Sequence, residues 1–387
     1  MSRSKRPIAV ELCAGVGGMS LGFEEAGFNV AAAFELDEMH VEYHGKNFPR
    51  CITVEADISE ISGDEVRELG ELGDQQIDVL FGGSPCQGFS LIGRRDVEDP
   101  RSEVLFDFAR LIDELQTSYF VVENVEGLLI GDAKSFYDKF VTLVSAAGYS
   151  VCEPWVLRAT DFGVPQRRTR VFIVGYKRGL PKPTKPAGKF TDSVNGHSQN
   201  GSSLEPCPTV WDAIEDLSRL SQLPALFKAD GFKRPGRVPS RYAKILRGEE
   251  RDPENRSQRR PEYPKTLTGC LLTTHKQTTI DRFNNTEPGT YEAVTRFYRL
   301  SKEGYSNTLR AGTDKTRGSY MAARPIHPGE PRVIVVREAA RLHSFPDWFV
   351  FHPTRWHAFR QIGNSVPPRL ARSVANAVYD CLIRRAS

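Results

Sequence analysis

The chain has 387 residues, 39% of them apolar, with 52 lysines and arginines against 49 aspartates and glutamates. That length holds one large domain or two ordinary ones around a sizeable core, and no window approaches the ~18 uncharged apolar residues of a membrane span. The seven cysteines are scattered, odd in number and never in a CxxC pair, and the eight histidines form no HExxH spacing, which disfavours a disulfide framework and a metal site.

The basic start Met-Ser-Arg-Ser-Lys-Arg-Pro leads into a strand-like run at Ile8 rather than a signal-peptide core, as expected of a cytosolic protein. Residues Pro7–Leu12 read as a buried parallel strand, followed by the turn Cys13-Ala14-Gly15-Val16-Gly17-Gly18, a helix from Met19 to about Ala26 stopped by Gly27, and a second strand, Asn29–Phe34, ending in Glu35-Leu36-Asp37. Strand, glycine turn, helix, strand and acid form a nucleotide-binding βαβ unit, in which glycines admit the ligand and the acid takes ribose hydroxyls. The nicotinamide fingerprint GxGxxG needs a third glycine where this chain has Ser20. The GxGG spacing suits an adenosyl ligand without a pyrophosphate. Asp57, in Ala56-Asp57-Ile58, ends a third apolar stretch; it is placed to accept from an adenine amino group or, alternatively, to cap the next helix.

The run Ile77–Phe81 reads as a buried strand, broken by Gly82-Gly83-Ser84-Pro85 so that Cys86 lies at the tip of a tight loop. A thiol at the carboxyl end of such a strand is either a nucleophile or a small core residue. Gly88–Asp99 is a polar, glycine-punctuated stretch, a lid or an ordinary connection. Val104, Leu105, Phe108, Leu111, Ile112 and Leu115 recur at helical spacing. A fifth strand, Tyr119–Val122, delivers Glu123-Asn124 to the edge that carries Cys86. Residues Ser150–Arg158 and Val171–Tyr176 bracket Gln166-Arg167-Arg168-Thr169-Arg170, in which Arg168 and Arg170 alternate and share a face.

Residues 179–202, rich in Pro, Lys, Gly, Ser and Asn, read as a linker or flexible surface segment, and 203–300 as an irregular, loop-rich module. Residues 181–330 carry 25 basic against 17 acidic side chains, whereas the rest carries 27 against 32. Such a segment suits a polyanion partner, or is a solvated surface. Order returns with Val333–Val336 as a strand, a helix through Arg337–His343, the stretch Gly363-Asn364-Ser365-Val366 and a last helix with Leu370, Val374, Val378 and Leu382 on one face.

In this order the segments resemble those of a bacterial-type DNA (cytosine-5)-methyltransferase. Val10–Gly18 resembles the family's cofactor motif, Pro85-Cys86-Gln87 its nucleophile motif, Glu123-Asn124-Val125 its acid motif and Gln166–Arg170 its arginine motif. Arg337–Leu342 with Phe345-Pro346 resembles its ninth motif and Gly363–Val366 its tenth. The resemblance implies an α/β fold, a doubly wound, mostly parallel, Rossmann-like sheet with a smaller target-recognition domain. Residues 1–178 and 357–387 would form the catalytic part, and 179–356 the recognition region and hinge, with recognition itself at about 179–330.

It also implies S-adenosylmethionine (SAM) as cofactor, double-stranded DNA as substrate, and no metal. Cys86 is the implied nucleophile toward carbon 6 of a flipped-out cytosine, and Glu123 the acid at N3. Arg168 is the implied partner of the base oxygen and of the site carboxylates, and Arg170 braces the same cluster and helps keep Cys86 ionised. Cofactor contacts fall on Cys13, Gly15, Val16, Gly17, Gly18, Glu35, Leu36, Asp57, Ile58, Pro85, Val104, Asn364 and Ser365. DNA contacts of the loop fall on Ser90, Ile92, Arg94 and Arg95. Cys13 and Leu36 stand where the family often has aromatics, which leaves Val16, Leu36, Ile58 and Val104 to sandwich the adenine. The implied role is restriction–modification or epigenetic marking in the cytoplasm, associated with the nucleoid through DNA, with a cognate restriction endonuclease as a partner in the first case. An RNA-directed relative of the same fold would carry a Cys-Phe-Thr tripeptide, absent here. A catalytically silent DNA-binding homologue would have no need of Cys86, Glu123, Arg168 and Arg170 together, and the glycine spacing disfavours a dehydrogenase.

Overall fold

The computed structural model describes residues 6–85, 103–192, 204–233, 240–258, 261–312 and 324–386. Eight of its strands form one sheet: β1 (Ile8–Leu12), β2 (Asn29–Glu35), β3 (Ile52–Glu55), β4 (Val79–Gly83), β5 (Tyr119–Asn124), β6 (Tyr149–Val151), β7 (Trp155–Arg158) and β8 (Thr169–Lys177). The order is β3-β2-β1-β4-β5-β8-β6, with β7 also on β8. The ladders among β1 to β5 are parallel, and the three made by β8 are antiparallel. The chain leaves β1 toward β2 on one side and later returns to β4 on the other. The crevice outside the carboxyl ends of β1 and β4 is therefore the switch point where ligands bind in open α/β sheets. Because β8 alone runs backwards, its first residues reach that same edge, and Glu123 pairs in register with Phe172 and Asn124 with Val171.

Helices α1 (Gly18–Ala26), α2 (Glu38–Asn47), α3 (Gly63–Leu69), α4 (Val104–Leu115) and α5 (Lys134–Ala146) cover the sheet. With both faces covered, β1 and β5 are buried at every residue and read as continuous apolar runs rather than alternating ones. α1 stops at Gly27, whose φ of 109° lets its N–H return to the carbonyls of Phe23 and Glu24. At Gly82 a Cβ would lie 2.0 Å from the Leu12 carbonyl oxygen, so no side chain fits where β4 passes β1.

Beyond the sheet lie α6 (Val210–Ile214), α7 (Arg241–Leu246), α8 (Gln277–Asn285), α9 (Val336–Leu342), α10 (Arg355–Asn364) and α11 (Pro368–Ala386). The core on the α1 face of the sheet continues without a break into α6, α7, α9, α10 and α11. Two small apolar clusters, one around Leu217, Leu226, Leu267 and Leu272 and one around Phe283, Ile326 and Val333, stand apart from it. Packing therefore does not break at residue 178, and residue 357 falls inside α10.

Two expectations from the sequence are corrected. Val333–Val336 is not a strand. Val333 makes one bridge to Ile326, and Val335 is already the N-cap of α9. All four side chains are buried, and a short apolar run does not distinguish a buried strand from the entry to a buried helix. Residues 179–192 are not a free linker: Tyr119 Oη donates to the Pro181 carbonyl at 3.2 Å, and Phe190–Thr191 pairs in parallel with Glu205–Pro206. Among the described residues no helix is long and apolar enough to cross a membrane.

Candidate active site

The turn after β1 coils tightly because Cys13 (φ 52°), Gly15 (φ 55°) and Gly17 (φ 97°) are all left-handed. For Cys13 this costs about 1–2 kcal/mol, a strain that functional loops often hold. The coil points the Gly15 N–H at Glu35 Oε2, 2.7 Å away at the end of β2. Glu35 Oε1 accepts from the Asp37 N–H at 3.0 Å and lies 3.7 Å from His40 Nδ1. Burial opposes charge on Glu35, but His40 and the two N–H groups outweigh it and hold the carboxyl below its ordinary range. Asp57, just past β3, accepts from the N–H and hydroxyl of Ser59.

These groups open onto one cavity of about 820 Å³ at the switch point. The structure brings Cys13, Gly15, Val16, Gly18, Glu35, Leu36, Asp57, Ile58, Pro85, Val104, Asn364 and Ser365 to its wall. Leu36 is 63% exposed there. Gly17 stands behind the wall: a Cβ on it would collide with the Phe48 ring at 2.2 Å, so its constraint is packing. Gly18 is held small from the other side by the Val366 carbonyl oxygen, 2.5 Å from where its Cβ would be.

Glu123 closes the far end of the cavity. Its Oε1 lies 2.8 Å from Arg170 Nε, an approach set by the β5–β8 register. A Cβ on Gly83 would lie 3.0 Å from Oε2, so the bareness of that glycine leaves the second oxygen open. Burial pushes the Glu123 carboxyl above its ordinary range, and the guanidinium charges of Arg170 and Arg168 pull back without cancelling the shift. Arg168 is buried, and donates to the carbonyls of Leu309 (3.1 Å), Gly363 (3.0 Å) and Ser365 (2.9 Å). It thereby fastens the Asn364 segment to the start of β8. Asn124 ties the end of β4: its Nδ2 donates to Ser84 Oγ at 2.7 Å, and its Oδ1 accepts from the Val125 N–H at 2.7 Å. Cys86, Ser90, Ile92, Arg94 and Arg95 lie outside the described residues; Pro85, on the cavity wall, leads directly to Cys86.

Several wall groups carry no signal in a local motif. Arg360 of α10 lies 3.9 Å from Asp37, and His40 is one turn into α2. Behind Glu11, Ser20 Oγ contacts both the Glu11 carboxyl and His44 Nε2, the latter at 2.9 Å, and His44 Nδ1 is 2.8 Å from Thr53 Oγ1. Burial raises Glu11 well above its ordinary range and lowers His44 to about 3. Both shifts disfavour the charged forms, and Ser20 joins the two groups in one hydrogen-bonded chain.

The wall fits SAM. Left-handed backbone at Gly15 leaves open space where a Cβ would stand, Glu35 offers a charged acceptor, Val16, Ile58 and Val104 offer apolar surface, and the acidic Asp37, Glu38 and Asp57 on the same wall suit a cationic sulfonium. Among the described residues no group of His, Cys, Asp or Glu could hold a metal ion.

The profile of the C-5 cytosine-specific DNA methylases matches residues 9–380. The type II methyltransferase M.XorII of Xanthomonas oryzae pv. oryzae is 44% identical over 383 residues, 98% of this chain and 86% of that one. M.DdeI of Desulfomicrobium norvegicum is 30% identical over 402 residues, 95% and 88% of the two chains. A solved structure of a candidate DNA modification methyltransferase encoded within a prophage (E. coli) is similar at a TM-score of 0.78 and 31% identity, covering 97% of this chain and 99% of that one. Sheet order, cofactor wall and sequence likeness agree: the chain belongs to the C-5 cytosine-specific DNA methylases, SAM-dependent enzymes of the type found in type II restriction–modification.

Proposed function

We propose that the chain methylates carbon 5 of a cytosine in one short duplex sequence, through a covalent bond between Cys86 and the flipped-out base, and serves beside a cognate restriction endonuclease. Stacking covers the ring faces through which carbons 6 and 5 react, so the base has to be extruded; Ser90, Ile92, Arg94 and Arg95 are the residues that contact the DNA. The Cys86 thiolate adds its electron pair to carbon 6, forming the Sγ–C6 bond and making carbon 5 nucleophilic. Bound SAM supplies the methyl group. Glu123, whose carboxyl burial pushes above its ordinary range, places a proton at N3 as charge develops there. Arg170 fixes Oε1, and Arg168 holds the opposite wall near the base oxygen. A base then removes the carbon-5 proton, and the Sγ–C6 electrons return to sulfur, releasing the enzyme.

The observation that carries this reading is Glu123 itself: a buried carboxyl, braced on one oxygen by Arg170 and open on the other, beside the strand that leads to Cys86. Recognition of the sequence falls to about 179–330, within a recognition domain and hinge of 179–356. Bisulfite sequencing of DNA from cells expressing the chain is the test. Methylated cytosine in one short context is the expected result, and unmodified DNA overturns the reading.

Cofactor binding has its own check. Glu35→Ala removes a charged acceptor at the ribose position, and is expected to weaken SAM by roughly ten- to a hundredfold, the ~1.5–3 kcal/mol of a hydrogen bond to a charged group. Calorimetric titration without DNA reads this directly. An unchanged Kd would move the ribose elsewhere.

A further inference from the structure

Buried arginines in this protein are usually neutralised. Arg332 pairs with Glu338, Arg341 with Asp216 and Asp347, and Arg372 with Glu25 and Asp252. The half-buried Arg324 and Arg355 are not: among the described residues neither makes an ion pair, and both turn to one hydroxyl. Thr273 Oγ1 accepts from Arg355 Nη1 at 2.7 Å and from Arg324 Nη1 at 3.4 Å. Arg355 also donates to the Leu272 carbonyl at 2.7 Å, and the Arg324 guanidinium lies 5.7 Å from the Phe359 ring centroid. Burial and then the charge of Arg355 push Arg324 below the ordinary arginine range. His275 is pushed down by burial and by Arg324, Arg355 and Arg332, so it adds no third charge. Asp230 lines the same hollow as Arg355, but its carboxylate is taken by the N–H groups of Gly269 (2.6 Å) and Cys270 (2.7 Å).

Two like charges held together out of full solvent, with no carboxylate in ion-pair contact among the described residues, cost free energy that a bound anion would recover. Arg355 is also the first residue of α10, a ten-residue helix whose N-cap Thr354 makes no side-chain cap bond, so the helix end adds to the positive field. All three side chains are only partly buried, which leaves the cluster reachable from outside.

We propose that Arg324 and Arg355 form a binding site for a backbone phosphate of duplex DNA. This rests on the function proposed above. The other end of α10 carries Gly363 and Asn364 at the cofactor cavity, about 15 Å away at 1.5 Å per residue, the span of a few base-pair steps. The phosphate therefore belongs to a nucleotide flanking the target cytosine, and the contact sets register rather than reading sequence.

The test is duplex binding by fluorescence anisotropy across a series of salt concentrations. R324Q is expected to bind cognate and unrelated duplexes roughly three- to tenfold more weakly, with the slope of log K against log [salt] reduced by about 1. R324K is expected to retain the wild-type slope, and SAM affinity to stay unchanged in both. Wild-type affinity and slope in R324Q would overturn the site. Failure of the wild-type chain to bind any duplex would instead sink the function it rests on. A measurement needing no variant is phenylglyoxal labelling of the wild-type protein, read by mass spectrometry. Duplex DNA should protect Arg324 and Arg355, whereas protection by inorganic phosphate but not by DNA would reject the assignment.

Discussion

Replacing Cys86 by alanine is expected to abolish methyl transfer while leaving duplex and cofactor bound. Carbon 5 of cytosine is a poor nucleophile until sulfur has added to carbon 6, so without the thiol the reaction loses its route rather than a contact. A loss on the order of 10⁴-fold or more in kcat is the scale for removing a nucleophile. The cofactor wall built by the Gly15 turn, Glu35 and Asp57 does not depend on the sulfur, so calorimetry should find SAM bound as in wild type. The companion measurement uses a duplex carrying 5-fluorocytosine at the target. Fluorine cannot leave as a proton, so wild-type protein with SAM should give a denaturation-resistant adduct that the alanine variant does not. Residual turnover within tenfold of wild type would defeat the covalent route.

Glu123→Gln should lower kcat by about 10²–10⁴-fold, the usual contribution of a positioned acid, and change SAM affinity little. Glutamine keeps the shape and a donor, but cannot release a proton. The pH dependence gives a sharper criterion. Burial raises the folded-state carboxyl above its ordinary value, so its proton is lost only as pH rises through the raised value. Wild-type activity should therefore decline on that alkaline side, and the glutamine variant should lack this limb. Stability follows the same sign. With the folded value above the unfolded one, the contribution of Glu123 is fully present below about pH 4.5 and is lost as pH rises through the folded value. The glutamine variant should thus melt no lower than wild type at alkaline pH. A lower melting temperature there would make the ion pair with Arg170 structural, and weakened SAM with retained kcat would reassign the residue.

The first half of the site was legible because its determinants are local. β1, the glycine turn, α1 with its stop at Gly27, and Glu35 at the end of β2 each rest on a run, a period or a turn residue within a few positions. The pairing of Glu123 with Arg170 was not, because it depends on an antiparallel ladder between distant strands. The motif brought two arginines together, but only packing decides that Arg170 meets the carboxyl while Arg168 fastens the Asn364 segment. Gly83 looked like a turn former, and its bareness turns out to matter for the oxygen beside it. The middle of the chain gave little, because its two small cores are assembled from short pieces too brief to carry a period. Arg324, Arg355 and Thr273, far apart in the chain, converge without any motif.

The close seating of α11 on α1 has a consequence for biosynthesis. Gly22 of α1 approaches so near that a Cβ there would stand 2.5 Å from the Ala371 methyl, and Leu370, Val374 and Val378 fill the core that α1 begins. Synthesis makes α1 about 340 residues before α11, so the apolar flank of α1 stays uncovered until α11 follows. Meanwhile the nascent protein exposes sticky surface while the residues between the two helices are made, and its folding is slowed by long-range closure. Holding chaperones would find their substrate in that interval.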